Sequence, residues 1–120
     1  MPSSDPIRRL EDILDCVERI ERFTHGLDFA AFSANEQVVY AVNHALLILS
    51  EAAAKLSEQA QQLCPEIAWA DIRGLGNRLR HDYDNINLIR IWLIVEKDLA
   101  PLKVAVVNAL NDLNRKRQPD

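Results

Sequence analysis

Apolar residues recur at three- and four-residue steps along most of this chain, and that period suits helices and little else. Ile7, Leu10, Ile13, Leu14, Val17 and Ile20 form one such stripe, because residues three and four apart share a helix face. Arg8, Glu11, Asp12, Asp15, Glu18, Arg19 and Arg22 occupy the other side. Trp69, Ile72, Leu75 and Leu79 repeat the spacing, as do Leu88, Ile91, Trp92 and Val95. Leu102, Val106, Leu110 and Leu113 continue the last stripe. Three glycines and five prolines are too few for the turns of a β-sandwich. The expected fold is therefore all-α: one antiparallel bundle of four to five main helices over residues 1–120, with 114–120 as a frayed polar tail.

The boundaries follow from local chemistry. Asp5 and Pro6 suit an N-cap and a first helical position, where proline's missing N–H is no loss. Gly26 is a stop, and Leu27 to Phe32 a connector or short helical turn with Phe29 and Phe32 as anchors. Ser33-Ala34-Asn35-Glu36 has the form of a capping box. It opens a long helix that runs to about Leu56. A helix tail or short helix leads to Pro65. The next helix starts near Ile67 to Trp69, Asn87 caps the last one, and Pro101 implies a kink or break near Asp98 to Pro101.

Composition narrows the functional classes. The apolar and charged shares, 48% and 27%, are those of a globular domain. No apolar run approaches the roughly 18–20 residues of a membrane helix, and Met-Pro-Ser-Ser-Asp is no secretion signal. These features predict a cytoplasmic protein with no membrane partner. Cys16 and Cys64 fit free thiols and lack metal-ligand spacing. A net charge of −4 argues against general binding of nucleic acid, which relies on neutralising phosphates. Any RNA contact must be local.

Val38 to Leu49 is apolar nearly all round, so this helix is expected to be central and buried on more than one face. Tyr40, His44 and Glu51 share one of its faces. One reading makes them an internal hydrogen-bonded set, since a buried carboxylate needs partners. The other has Glu51 supporting a site on the following helix.

That site would lie between Trp69 and Tyr83. As a helix, this stretch stacks Arg73, Asn77 and His81 at four-residue intervals, away from its apolar face. Gly74 and Gly76 lie between them. Each costs about 1 kcal/mol relative to alanine in a helix interior, so either a ligand or a neighbouring helix must approach closely. Histidine exchanges protons near neutrality, and arginine holds phosphate through two parallel N–H groups. An imidazole, a guanidinium and an amide suffice for RNA cleavage without metal. His81 would promote attack of a 2′-hydroxyl on the adjacent phosphate while Arg73 holds that phosphate. No carboxylate cluster or His/Cys set suggests a metal site, and no cofactor is implied. The plainer reading is a solvated polar stripe, or one lying in a dimer interface.

Pro65-Glu66-Ile67-Ala68-Trp69, Ile72-Arg73-Gly74, Asn77 and His81-Asp82-Tyr83 together resemble the HepT-like family of the HEPN superfamily. Leu49-Ser50-Glu51-Ala52-Ala53 resembles its central-helix motif, usually written with Gly where Ser50 stands. Trp92 and Asp98 to Lys103 resemble its last helix. The resemblance implies a small all-α protein, a homodimer or higher homo-oligomer, acting as the metal-independent ribonuclease toxin of a toxin–antitoxin pair. It implies a cognate minimal nucleotidyltransferase as antitoxin, able in some systems to transfer AMP to the motif tyrosine, here Tyr83. It also implies an Arg, a polar residue and a His on one helix in a cleft at the dimer interface. His81 and Asn77 match two of these.

The third departs. The family's arginine immediately precedes the polar residue, and Gly76 stands there. Arg73, one turn earlier on the same stripe, is the candidate replacement. Arg78 and Arg80 are expected to point elsewhere and, with Glu51, to support the site or bind RNA. The alternative reading is a catalytically silent helical partner or nucleotide-binding module of the nucleotidyltransferase.

Overall fold

The computed structural model describes residues 5–117. Helix α1 spans Pro6–Thr24, and the Asp5 side chain accepts the Ile7 N–H at 3.1 Å. Its stripe of Ile7, Leu10, Ile13, Val17 and Ile20 is buried. After α1 the chain turns at Gly26, whose φ is 77°, a conformation open to glycine because it has no Cβ.

The connector or short helical turn expected at Leu27 to Phe32 takes the form of a short helix, α2 (Phe29–Ala34), capped by Asp28. Phe32 is fully buried and meets Trp92 with ring centroids 5.0 Å apart. The predicted capping box does not form. Ser33 lies within α2 and donates to the Ala30 carbonyl, so its hydroxyl is already engaged. Asn35 caps α3 (Glu36–Ala54) instead, its Oδ1 accepting the Val38 N–H at 3.1 Å.

Helix α3 is the centre of the fold. It packs against α1 on one side and α5 (Trp69–His81) on another. Its buried residues are Val42, Ala45, Leu46, Leu49, Ser50, Ala52 and Ala53. By length and composition it would suffice to cross a membrane, contrary to the expectation that no such segment exists. Its place here is at the middle of a helix bundle.

Between α3 and α5 lies the short α4 (Glu58–Gln61), capped by Ser57. The Trp69 indole N–H donates to the Gln61 and Cys64 carbonyls at 3.0 and 3.2 Å, which fixes where α5 begins. The Cys64 thiol, 3.5 Å from the Ala105 carbonyl, ties the same loop to the last helix.

Asn87 caps α6 (Leu88–Leu93) as expected, accepting the Ile89 and Arg90 N–H groups. The chain then widens into a π turn over Ile94–Asp98 and continues as α7 (Leu99–Arg117). Pro101 sits in the first turn of α7, where its missing N–H is tolerated. The predicted kink or break therefore takes the form of a change of winding, with no interruption. The tail expected to fray from Asn114 is helical to Arg117; residues 118–120 lie outside the described residues. The architecture is all-α, and no strand occurs among the described residues.

Candidate active site

Helix α5 has two faces. Trp69 and Leu79 are buried, and Ile72 and Leu75 are half-buried against the core. Asn77, Arg78, Arg80 and His81 are exposed, and Arg73 is half-buried. His81 is the last residue of the helix. Tyr83 follows in a single 3₁₀ turn, Tyr83–Asn85, and is 71% exposed.

Gly76 is buried where α5 crosses α3. A Cβ there would lie 2.1 Å from the Ser50 hydroxyl and 2.6 Å from the Ser50 Cβ. The hydroxyl is anchored in its own helix, donating to the Leu47 carbonyl at 2.7 Å. Gly76 therefore serves close helix packing. Gly74 differs: nothing lies within 4 Å of a Cβ built on it.

The arginines separate on geometry. Arg80 Nη2 donates to Asn77 Oδ1 at 2.7 Å, and Nη1 stands 3.4 Å from Glu51 Oε1 on α3. The same Nη1 is 3.6 Å from where a Cβ on Gly76 would be. The expectation that Arg80 points away from the stripe is thus wrong. Residues 76 and 80 are one turn apart, and helical side chains lean toward the N-terminus, so Arg80 lies back over Gly76. That spacing was visible in the sequence, and the lean of helical side chains would have found the contact. Neither Arg73 nor Arg78 has an ion-pair partner among the described residues. Arg73 stands eight residues before His81, about 12 Å along the helix axis at 1.5 Å per residue.

On α3, Tyr40 is 70% exposed and His44 is exposed. The internal hydrogen-bonded set of Tyr40, His44 and Glu51 does not exist. Glu51 faces Arg80 instead.

Asn77 accepts from Arg80 through its oxygen, so its amide N–H groups remain as donors. Arg80 uses two of its five N–H donors on Asn77 and Glu51 and keeps the rest. His81 follows Arg80 in the chain and stands one turn beyond Asn77. The negative end of the α5 dipole lies here, so an anion needs cationic side chains to be held. Among the described residues no three His, Cys, Asp or Glu side chains group to hold a metal ion.

A family model described as "Ribonuclease HepT-like" matches residues 13–109. The chain belongs to the HepT-like family. A Methanocaldococcus jannaschii protein named for an inferred RNase activity is 34% identical over 97 residues, covering 81% of this chain and 89% of its own length. A Thermococcus cleftensis protein named as an inferred ribonuclease HepT is 33% identical over 94 residues, covering 78% and 86%. A second M. jannaschii protein, also named for an inferred RNase activity, is 27% identical over 116 residues, covering 97% and 100%. No solved structure gives a significant match.

Proposed function

We propose that this HepT-like chain is a metal-independent endoribonuclease, the toxin of a toxin–antitoxin pair. The observation that carries the reading is the grouping of His81, Asn77 and an arginine on the exposed side of α5. In the reaction the 2′-oxygen bonds to the adjacent phosphorus and the bond from phosphorus to the 5′-oxygen breaks. The 2′-hydroxyl proton passes to neutral His81. The departing 5′-oxygen takes a proton from water, and His81 returns its own to the hydroxide. The products are a 2′,3′-cyclic phosphate and a 5′-hydroxyl. The charge that builds on the phosphoryl oxygens falls to the Asn77 amide and an arginine, as donors placed where charge develops. No step uses a metal.

The antitoxin in this reading is a minimal nucleotidyltransferase. Tyr83, highly exposed two residues beyond His81, is the acceptor for AMP. A nucleotide attached there would stand beside the site and block RNA. A homodimer fits the exposed Tyr40 and Ile48 on the same side of α3 as Glu51, and the cytoplasm is where RNA and ATP are both at hand.

The test is purified protein, freed of antitoxin, incubated with RNA and EDTA. Wild type yields cyclic-phosphate ends, and His81→Ala lowers the rate about 10²- to 10⁴-fold, the usual contribution of a general base. Intact RNA with wild-type protein overturns the reading. It would favour the second one, a catalytically silent partner of the nucleotidyltransferase, for which Gly76 in the family's arginine position is the specific support.

A further inference from the structure

We infer that Arg80 is the catalytic arginine of this site, and that the contact between Ser50 and Gly76 is what gives it room. The inference rests on the ribonuclease reading and deepens it.

Three arginines compete for the role. A group that stabilises the charge building on a scissile phosphate must reach the same atoms as the base. Arg73 lies two turns up the helix, about 12 Å along its axis from His81. It suits a neighbouring phosphate of the same strand. Arg78 is exposed, and no contact among the described residues orients it. Arg80 alone is held. Asn77 fixes one end of its guanidinium at 2.7 Å, and Glu51 faces the other at 3.4 Å from a different helix. Both anchors leave guanidinium N–H donors unused, on the last turn of α5, which ends at His81.

The held position lies over the bare backbone of Gly76. The Nη1 atom sits 3.6 Å from the point a Cβ there would occupy, in ordinary van der Waals contact with it. A Cβ alone would fit beside it, but a longer side chain at 76 would have to share that space with the Arg80 head. Ser50 decides the competition, because its Cβ and hydroxyl exclude any side chain at 76. A guanidinium can then reach this spot only from one turn later, leaning back along the helix.

Glu51 is a positioning residue. Its ion pair with Arg80 is partly exposed, with side chains 50% and 35% accessible. Such pairs are weak, so a phosphate can take the guanidinium's remaining donors while Glu51 keeps its aim. The Arg80 side chain touches the phosphate; Glu51 acts through Arg80.

The test uses RNA cleavage in EDTA by full-length wild type and by Arg80→Ala, Arg73→Ala, His81→Ala and Glu51→Gln. Arg80→Ala is expected to lower kcat about 100-fold or more, the usual loss for one such donor. Arg73→Ala raises KM several-fold and lowers kcat far less. Glu51→Gln, which keeps an acceptor for Arg80, stays within about tenfold of wild type. The decisive variant moves the arginine: Ser50→Gly/Gly76→Arg/Arg80→Ala regains at least tenfold over Arg80→Ala. A role for Arg80 in folding alone would not produce that rescue. An active wild type with an equally active Arg80→Ala overturns this inference and leaves the ribonuclease reading intact. A folded triple variant no faster than Arg80→Ala overturns the positional argument. An inactive wild type overturns both readings together.

Discussion

Gly76 and Gly74 are two residues apart on one helix, and their backbones are both helical, yet they do opposite things. At Gly74 nothing lies within 4 Å of a Cβ. Replacing it by alanine should stabilise the protein by about 0.5–1 kcal/mol, the ordinary gain in a helix interior. At Gly76 the same change puts a methyl group 2.6 Å from the Ser50 Cβ. That carbon cannot move without its backbone, so α3 and α5 must part. Overpacking of this kind costs about 1–3 kcal/mol, more than the helix-propensity gain returns. Urea unfolding should therefore rank Gly74→Ala above wild type and Gly76→Ala below it. In a Ser50→Gly background Gly76→Ala should lose most of its penalty, since the two residues act as one contact. Additive effects would mean that the helices do not meet here. In the sequence, two glycines on one helix pointed equally to a ligand and to a packed neighbour. The choice depended on which residue of α3 lies opposite, and one-dimensional spacing does not carry that information.

At the level of the helix, periodicity was the reliable signal and capping the ambiguous one. The stripes of α1, α5 and α7 are buried much as their spacing required, and Asn87 caps α6 where expected. The misassigned cap lies within residues 27–36. There Asp28, Ser33 and Asn35 all offer oxygens to backbone N–H groups, and the pattern fits more than one helix start. The structure uses Asp28 and Asn35 as caps and leaves Ser33 inside α2. Substitution separates these assignments. Asn35→Ala removes the acceptor of the Val38 N–H and should cost about 1 kcal/mol, as N-cap losses do. Ser33→Ala removes only a donor to its own helix's Ala30 carbonyl and should stay within about 0.5 kcal/mol. Urea midpoints measure both. The reverse ranking would restore the capping box. Pro101 illustrates a different ambiguity: proline signals that a helix cannot continue unchanged, but not whether it stops or rewinds, and here a π turn precedes it.

Across the whole molecule, the candidate residues could be grouped from the sequence because they lie on one helix, whereas what steadies Arg80 comes partly from another. His81 and Asn77 needed only their own spacing. The placing of Arg80 needed Glu51 and Ser50, some thirty residues upstream on α3. The same helix-to-helix closure can be read from the two cysteines. Cys16 lies in the α1 stripe, and Cys64 lies between α4 and α5 with its thiol against the Ala105 carbonyl of α7; both are free and buried. Burial, by penalising the thiolate, pushes each thiol from 9.0 up to about 11. Two consequences follow. Ellman's reagent at pH 8 should react with neither thiol in the folded protein and with both after unfolding in urea, because it needs an accessible thiolate. Stability should also depend on alkaline pH with a definite sign. Below about pH 9 both states hold the thiol protons, and the contribution is fully present. Between about 9 and 11 the unfolded chain sheds them while the folded chain keeps them, so unfolding becomes easier as pH rises. Urea midpoints followed from pH 8 to 11 should fall, and a Cys16→Ala/Cys64→Ala protein should lose part of that slope. Rapid labelling of either thiol at pH 8 without denaturant would mean that the folded chain does not bury it.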